Sequence, residues 1–187
     1  MKKIAIFASG SGSNFEAIVT SCNKGEVNAE PAVCVCDKPG AGVIERALRL
    51  GVPLIVASPK DFADKAAYET FIAEKLKEME IELICLAGYM RIVGPTLLAE
   101  FPERIINIHP SLLPSFKGAH AIKDAFDYGV KVYGVTIHYV DETLDGGKII
   151  AQSAFPYTGD DIDELETMIH ATEHKLYPLT IQNLINR

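Results

Sequence analysis

Residues 3–8 (KIAIFA) are almost all apolar and run straight into the polar, glycine-rich stretch SGSGSN. An apolar run without alternation predicts a strand covered on both faces, as in a parallel sheet. The pattern then turns helical: Phe15, Ile18, Val19 and Cys22 fall on one helix face, and Gly25 supplies a stop. The same order recurs along the chain. A strand is predicted over 32–36, a helix over 42–50 ended by Gly51, a strand over 53–56 and a long helix over 61–79. Buried strands at 82–87 and 104–108 flank a short helix over 95–101, where Pro95 suits the first turn.

Beyond Pro110 the periodicity fades. SLLPSFKGAHA predicts a mobile loop before a short helix ending at Tyr128. Two strands, 131–140 and 148–155, follow around DETLDGG, and the tail from 161 to 185 is helical, with Pro178 expected to kink or interrupt it. Alternating strands and helices predict an α/β fold: a single open, mostly parallel twisted sheet with helices on both faces, Rossmann-like in outline. No linker divides the 187 residues, so one domain is expected, with halves of 1–95 and 96–187.

Composition narrows the function classes. With 48% apolar residues and no low-complexity stretch, the chain is globular. The formal net charge of −7, unbroken by any lysine and arginine run, argues against a nucleic-acid or anionic-membrane surface. The first apolar run is too short for a secretory core, and nothing approaches the roughly 20 apolar residues of a membrane span. Cys22, Cys34, Cys36 and Cys85 match neither a metal nor a disulfide spacing, so buried reduced thiols and a cytoplasmic location are expected.

Three places carry candidate chemistry. Gly10, Ser11, Gly12, Ser13 and Asn14 join a strand to a helix; glycines admit an anion close to backbone amides, and the helix start adds partial positive charge. Phe15 stands where a dinucleotide loop has its third glycine, and the lysine of a nucleoside-triphosphate loop is missing, so a monophosphate fits better. The alternative is a tight turn with a serine cap. Asn107 and His109 share one strand face and emerge toward the crevice beyond the strands' carboxyl ends. An amide donor and a titratable imidazole suit acyl transfer, although a capping asparagine and a structural histidine would read the same. Asp141, Glu142 and Asp145 lie in VDETLDGG, a turn whose carboxylates gain meaning only if Asp145 lies beside His109 and favours its charged form. His120, His138, His170 and His174 are the other histidines; HATEH lacks a glutamate directly after its first histidine, as a zinc helix requires, and no metal is expected.

Four motifs in order, GSGSN, LAGYMRIV, NIHPSLLP and LDGG, resemble those of the folate-dependent formyltransferases. GSGSN, EHKLYP and the overall length narrow the resemblance to the family branch acting on glycinamide ribonucleotide (GAR). The initiator-tRNA branch implies an additional C-terminal domain and the deformylase branch an N-terminal one, for which 187 residues leave no room. The resemblance implies that Asn107, His109 and Asp145 form the catalytic group. It implies that Gly12, Ser13 and Asn14 bind the GAR phosphate and that Glu173 contacts the acceptor. Met90, Arg91, Ile92 and Val93, together with Asn107, Val140, Asp141, Glu142 and Asp145, would line the folate pocket, and Gly118 would add a backbone contact. With Gly118, the resemblance also places Lys65, which stands where some relatives carry arginine, and His170, which stands where relatives often carry glutamine or lysine, among the GAR-binding residues. The co-substrate implied is 10-formyltetrahydrofolate, without a metal, and the protein is expected as a monomer or homodimer. Rival readings are a different amine acceptor such as a sugar nucleotide, a non-catalytic folate- or nucleotide-binding module, and a nicotinamide oxidoreductase using Asp37 at the end of the second strand.

Overall fold

The computed structural model describes residues 1–186. Among these residues seven strands form one sheet: β1 (Lys2–Ala8), β2 (Ala29–Cys36), β3 (Leu54–Val56), β4 (Leu83–Leu86), β5 (Ile105–His109), β6 (Val132–Tyr139) and β7 (Ile149–Pro156). Their spatial order is β3-β2-β1-β4-β5-β6-β7. The first five pair in parallel, and β6 and β7 add antiparallel, which is the mostly parallel open sheet the alternation implied.

Among the described residues six helices cover both faces: α1 (Ser13–Asn23), α2 (Gly42–Leu50), α3 (Lys65–Glu78), α4 (Pro95–Glu100), α5 (Ala121–Tyr128) and α6 (Ile162–Ile185). Alternate residues of the strands divide between two cores. Ile4, Ile6, Cys34, Cys36, Cys85, Ile106 and Val135 pack with α1, α2 and α6, whereas Ala5, Phe7, Val33, Val35, Ile84 and Ile105 pack with α3 and α4. Cys34 is buried, and its thiol is pushed up to about 12 by that burial, which leaves it a small apolar side chain.

Three local expectations change. The long helix begins at Lys65, not at 61: Ser58 and Pro59 start a separate 3-10 turn, and the Asp64 side chain caps α3 by accepting from Ala67 N at 2.8 Å. Strand β2 starts at Ala29 and carries Pro31 beside a register shift opposite Ile4/Ala5, where a missing N–H is tolerated. Pro178 lies inside α6 without interrupting it. Leu165, Ile169, Glu173, Tyr177 and Ile181 bury one continuous face, and Tyr177 Oη donates to the carbonyl of Leu86 at 2.9 Å, so packing outweighs the lost helix hydrogen bond.

Strand order reverses at β1, whose neighbours are β2 and β4. The chain leaving β1 and the chain leaving β4 therefore part, and the crevice between them is where ligands of open α/β sheets bind.

Candidate active site

A cleft of about 590 Å³ opens at the carboxyl ends of β1, β4 and β5. It is lined by the loop after β1, the segment after β4, the end of β5, the β6–β7 connection and two side chains of α6.

The first wall is Gly10 to Asn14. Gly12 has φ 80°, and a Cβ there would come within 2.6 Å of the Val43 side chain, so glycine is required by backbone and space alike. Val43 N donates to Gly10 O at 3.0 Å and fastens the loop to α2. No side chain caps α1, so its first amides are left to the cleft. Across from them, Glu173 Oε2 accepts from Asn14 Nδ2 at 3.0 Å and from His170 Nδ1 at 2.9 Å. The Glu173 hydrogen bond raises the pKa of His170. Asn14 Oδ1 is buried with no hydrogen-bond partner among the described residues.

The second wall is apolar. Met90, Ile92 and Leu144 are 75%, 68% and 56% exposed, yet all three face this one cleft, where they offer a surface to a flat, partly apolar ligand.

Asn107, His109, His138 and Asp145 meet between these walls. Asn107 and His138 are directly opposed in the β5–β6 pairing, and Asn107 Nδ2 donates to His138 Nε2 at 3.2 Å. His138 Nδ1 in turn donates to Tyr139 O at 2.9 Å. That tautomer requires a neutral ring, in accord with burial lowering the pKa of His138. One N–H of the Asn107 amide remains for the cleft. His109 is buried; its Nδ1 lies 3.6 Å from Asp145 Oδ2, and its Nε2 donates to Phe116 O at 2.9 Å. Asp145 takes φ 47°, a conformation that aspartate tolerates, and Gly118 N donates to its Oδ2 at 2.8 Å.

The remaining candidates separate cleanly. Asp141 lines the cleft, but its carboxylate accepts from Thr143 N and Oγ1, which lowers its pKa. Glu142 is exposed and outside the lining. Lys65 also lies outside the lining: it starts α3 on the opposite face of the sheet, its Cε within 2.9 Å of where a Gly94 Cβ would stand. Asp37 is buried and bonded to Ser9 and Arg91, so it offers no free carboxylate to a nucleotide ribose. The predicted loop is fastened in its first half, since Thr136 Oγ1 donates to Ser111 O and accepts from Leu113 N, and Gln152 Nε2 donates to Leu113 O.

His138 was named from the sequence but given no role. Its signal was a histidine on a strand beside the Asn107 strand, but facing Asn107 depends on an antiparallel register that the sequence does not print.

The family model for formyl transferases matches residues 2–181. The chain belongs to the formyl transferase family. This formyltransferase is 54% identical to the phosphoribosylglycinamide formyltransferase of Bacillus subtilis (strain 168), over 99% of this chain and 95% of that one. The crystal structure of glycinamide ribonucleotide transformylase 1 from Geobacillus kaustophilus superimposes with a TM-score of 0.96 at 53% identity, covering 98% of both chains. A trifunctional purine biosynthetic protein of Drosophila melanogaster is 39% identical over 99% of this chain, which spans only 14% of that longer protein.

Proposed function

We propose that this formyltransferase moves the formyl group of 10-formyltetrahydrofolate to the amine of GAR, giving formyl-GAR and tetrahydrofolate, a step of purine biosynthesis. The observation that carries the reading is the convergence, in one cleft, of an anion-ready glycine loop, an apolar wall and the Asn107, His109, Asp145 group. Family membership supports the reaction class, and the relatives named for GAR support the acceptor.

The acceptor's phosphate would sit on the amides of Gly12, Ser13 and Asn14, with Gly118 nearby and Glu173 and His170 facing the rest of the molecule. Met90, Ile92, Val93 and Val140 would flank the folate ring system. The free Asn107 N–H and His109 Nε2–H would donate to the oxygen that becomes negative as the amine attacks the formyl carbon. His109 Nε2 would exchange Phe116 O for that oxygen, and Asp145, beside Nδ1, would orient the ring. The amine proton leaves and the departing folate nitrogen gains one, so no covalent enzyme intermediate is needed. Lys65 and Glu142 receive no role from this geometry.

The test follows folate release by absorbance, with and without GAR. Release is expected only when GAR is present, and His109→Ala or Asp145→Asn should each cut turnover by about a hundredfold or more. Near-normal turnover in both variants refutes the assigned roles, and release without GAR refutes the acceptor.

A further inference from the structure

Two buried polar residues behind the apolar wall line no cleft, and neither has a part in the transfer. Ser9 follows β1 and Asp37 follows β2; they are 6% and 4% exposed. Ser9 Oγ donates to Asp37 Oδ1 at 2.5 Å and accepts from Met90 N at 2.9 Å. Asp37 Oδ2 accepts from Arg91 Nε at 2.7 Å, while Ser9 N donates to Gly88 O at 3.0 Å. A serine hydroxyl hydrogen rotates to whichever acceptor is offered. With Asp37 holding that hydrogen, the Ser9 lone pair is turned to the Met90 amide, so the carboxylate acts on the backbone of the next segment through one oxygen. The same carboxylate holds Arg91, and the pair raises the pKa of that guanidinium. Arg91 is otherwise half-exposed, and Nε is its one nitrogen with a hydrogen bond among the described residues.

We propose that Asp37 is a positioning residue for the folate side of the cleft: through Ser9 Oγ and Arg91 Nε it fixes the 88–93 segment on which Met90 and Ile92 are displayed. The proposal rests on the function given above. It assigns to Asp37 the affinity for the folate co-substrate and not the rate of transfer, because neither Asp37 nor Ser9 reaches the group around His109.

Asp37→Ala removes both bonds, Ser9→Ala removes one, and Asp37→Asn keeps an acceptor for Ser9 while losing the charge facing Arg91. Asp37→Ala is expected to raise the KM for 10-formyltetrahydrofolate about tenfold, with kcat and the KM for GAR within about twofold of wild type. Ser9→Ala should give a smaller rise, and the double variant Ser9→Ala/Asp37→Ala should match Asp37→Ala alone, since the two act through one connection. If Asp37→Ala does not fold, Asp37→Asn decides, with a rise confined to the folate KM. Hydrogen exchange of the ligand-free protein supplies a readout independent of turnover: the 88–93 amides, Met90 above all, should exchange faster in Asp37→Asn than in wild type. An unchanged folate KM, or equal losses in both KM values and kcat, overturns the proposal. So does unchanged exchange at 88–93. A wild-type protein that formylates no GAR sinks the proposed function instead, and the exchange result then still decides the role of Asp37.

Discussion

Surroundings push two histidines of the cleft in opposite directions. Burial lowers His138 from the ordinary value of 6.5, whereas the hydrogen bond to Glu173 raises His170 from the same value. For His138 the unfolded chain takes up its proton first as pH falls. Its contribution to stability is therefore present above 6.5 and lost as pH drops through the folded value. For His170 the contribution is present below 6.5 and lost as pH rises through the folded value. In an NMR titration of the imidazole protons, His138 should show its midpoint below 6.5 and His170 above it. Glu173→Gln should return His170 toward 6.5 and leave His138 in place; a His170 midpoint at or below 6.5 in the wild type contradicts the pairing. Residue identities at the site were legible where a motif carries them, as at Asn107, His109 and Asp145. Their partners were not: His138 is set opposite Asn107 by strand register, and the carbonyl facing His109 comes from Phe116 in a loop without periodicity.

Elements were legible wherever apolar spacing and a terminal signal agree. The helix at Gly42–Leu50 has both a periodic face and Gly51 in the left-handed conformation at its end. The start of α3 was not, because Asp61 and Asp64 are both able to cap, and the 3-10 turn at Pro59–Asp61 decides between them. Short α4 has little propensity signal of its own and is held from outside. The buried carboxylate of Glu69 accepts from Gly94 N at 2.5 Å and from Leu97 N at 3.1 Å, doing at a distance what an N-cap side chain does locally. Glu69→Ala leaves both amides buried and unpaired and should cost about 2 kcal/mol in urea unfolding, with Glu69→Gln costing less. A loss below about 0.5 kcal/mol, the scale of an ordinary surface change, contradicts this role. At the glycine loop, Gly12→Ala meets both the positive φ and the Val43 side chain, so stability should fall by about 1–3 kcal/mol and the KM for GAR should rise. Unchanged stability and unchanged KM together would show that the loop relaxes without consequence.

At the scale of the molecule, the cleft is assembled from segments far apart in sequence that the sheet order brings together: 10–14, 86–93, 107–110, 118–119, 138–141, 143–145 and 170–173. Helix α6 closes the arrangement by packing on α1, β6 and β7 and by returning Glu173 to Asn14. No helix among the described residues is long and apolar enough to cross a membrane. With α6 bridging the early and late parts of the chain, we propose that the 187 residues unfold as one unit. Far-ultraviolet circular dichroism and tyrosine fluorescence should then follow a single coincident urea transition, and two separated transitions would contradict that unity. The mostly parallel sheet was legible from the alternation of strands and helices, whereas the strand order that puts the switch point between β1 and β4 was not; nor was the position of Lys65, because the face on which α3 packs depends on the direction of the β3–α3 crossover.

The central claim is that the cleft brings a folate-borne formyl group to an amine of GAR. The most direct measurement follows a ¹³C-labelled formyl group by NMR in a mixture of purified protein, labelled 10-formyltetrahydrofolate and GAR. The account predicts that the label leaves the folate and appears as the formamide carbon of formyl-GAR, in amounts equal to the tetrahydrofolate produced. Label recovered as free formate, or retained on the folate while GAR is unchanged, would contradict it.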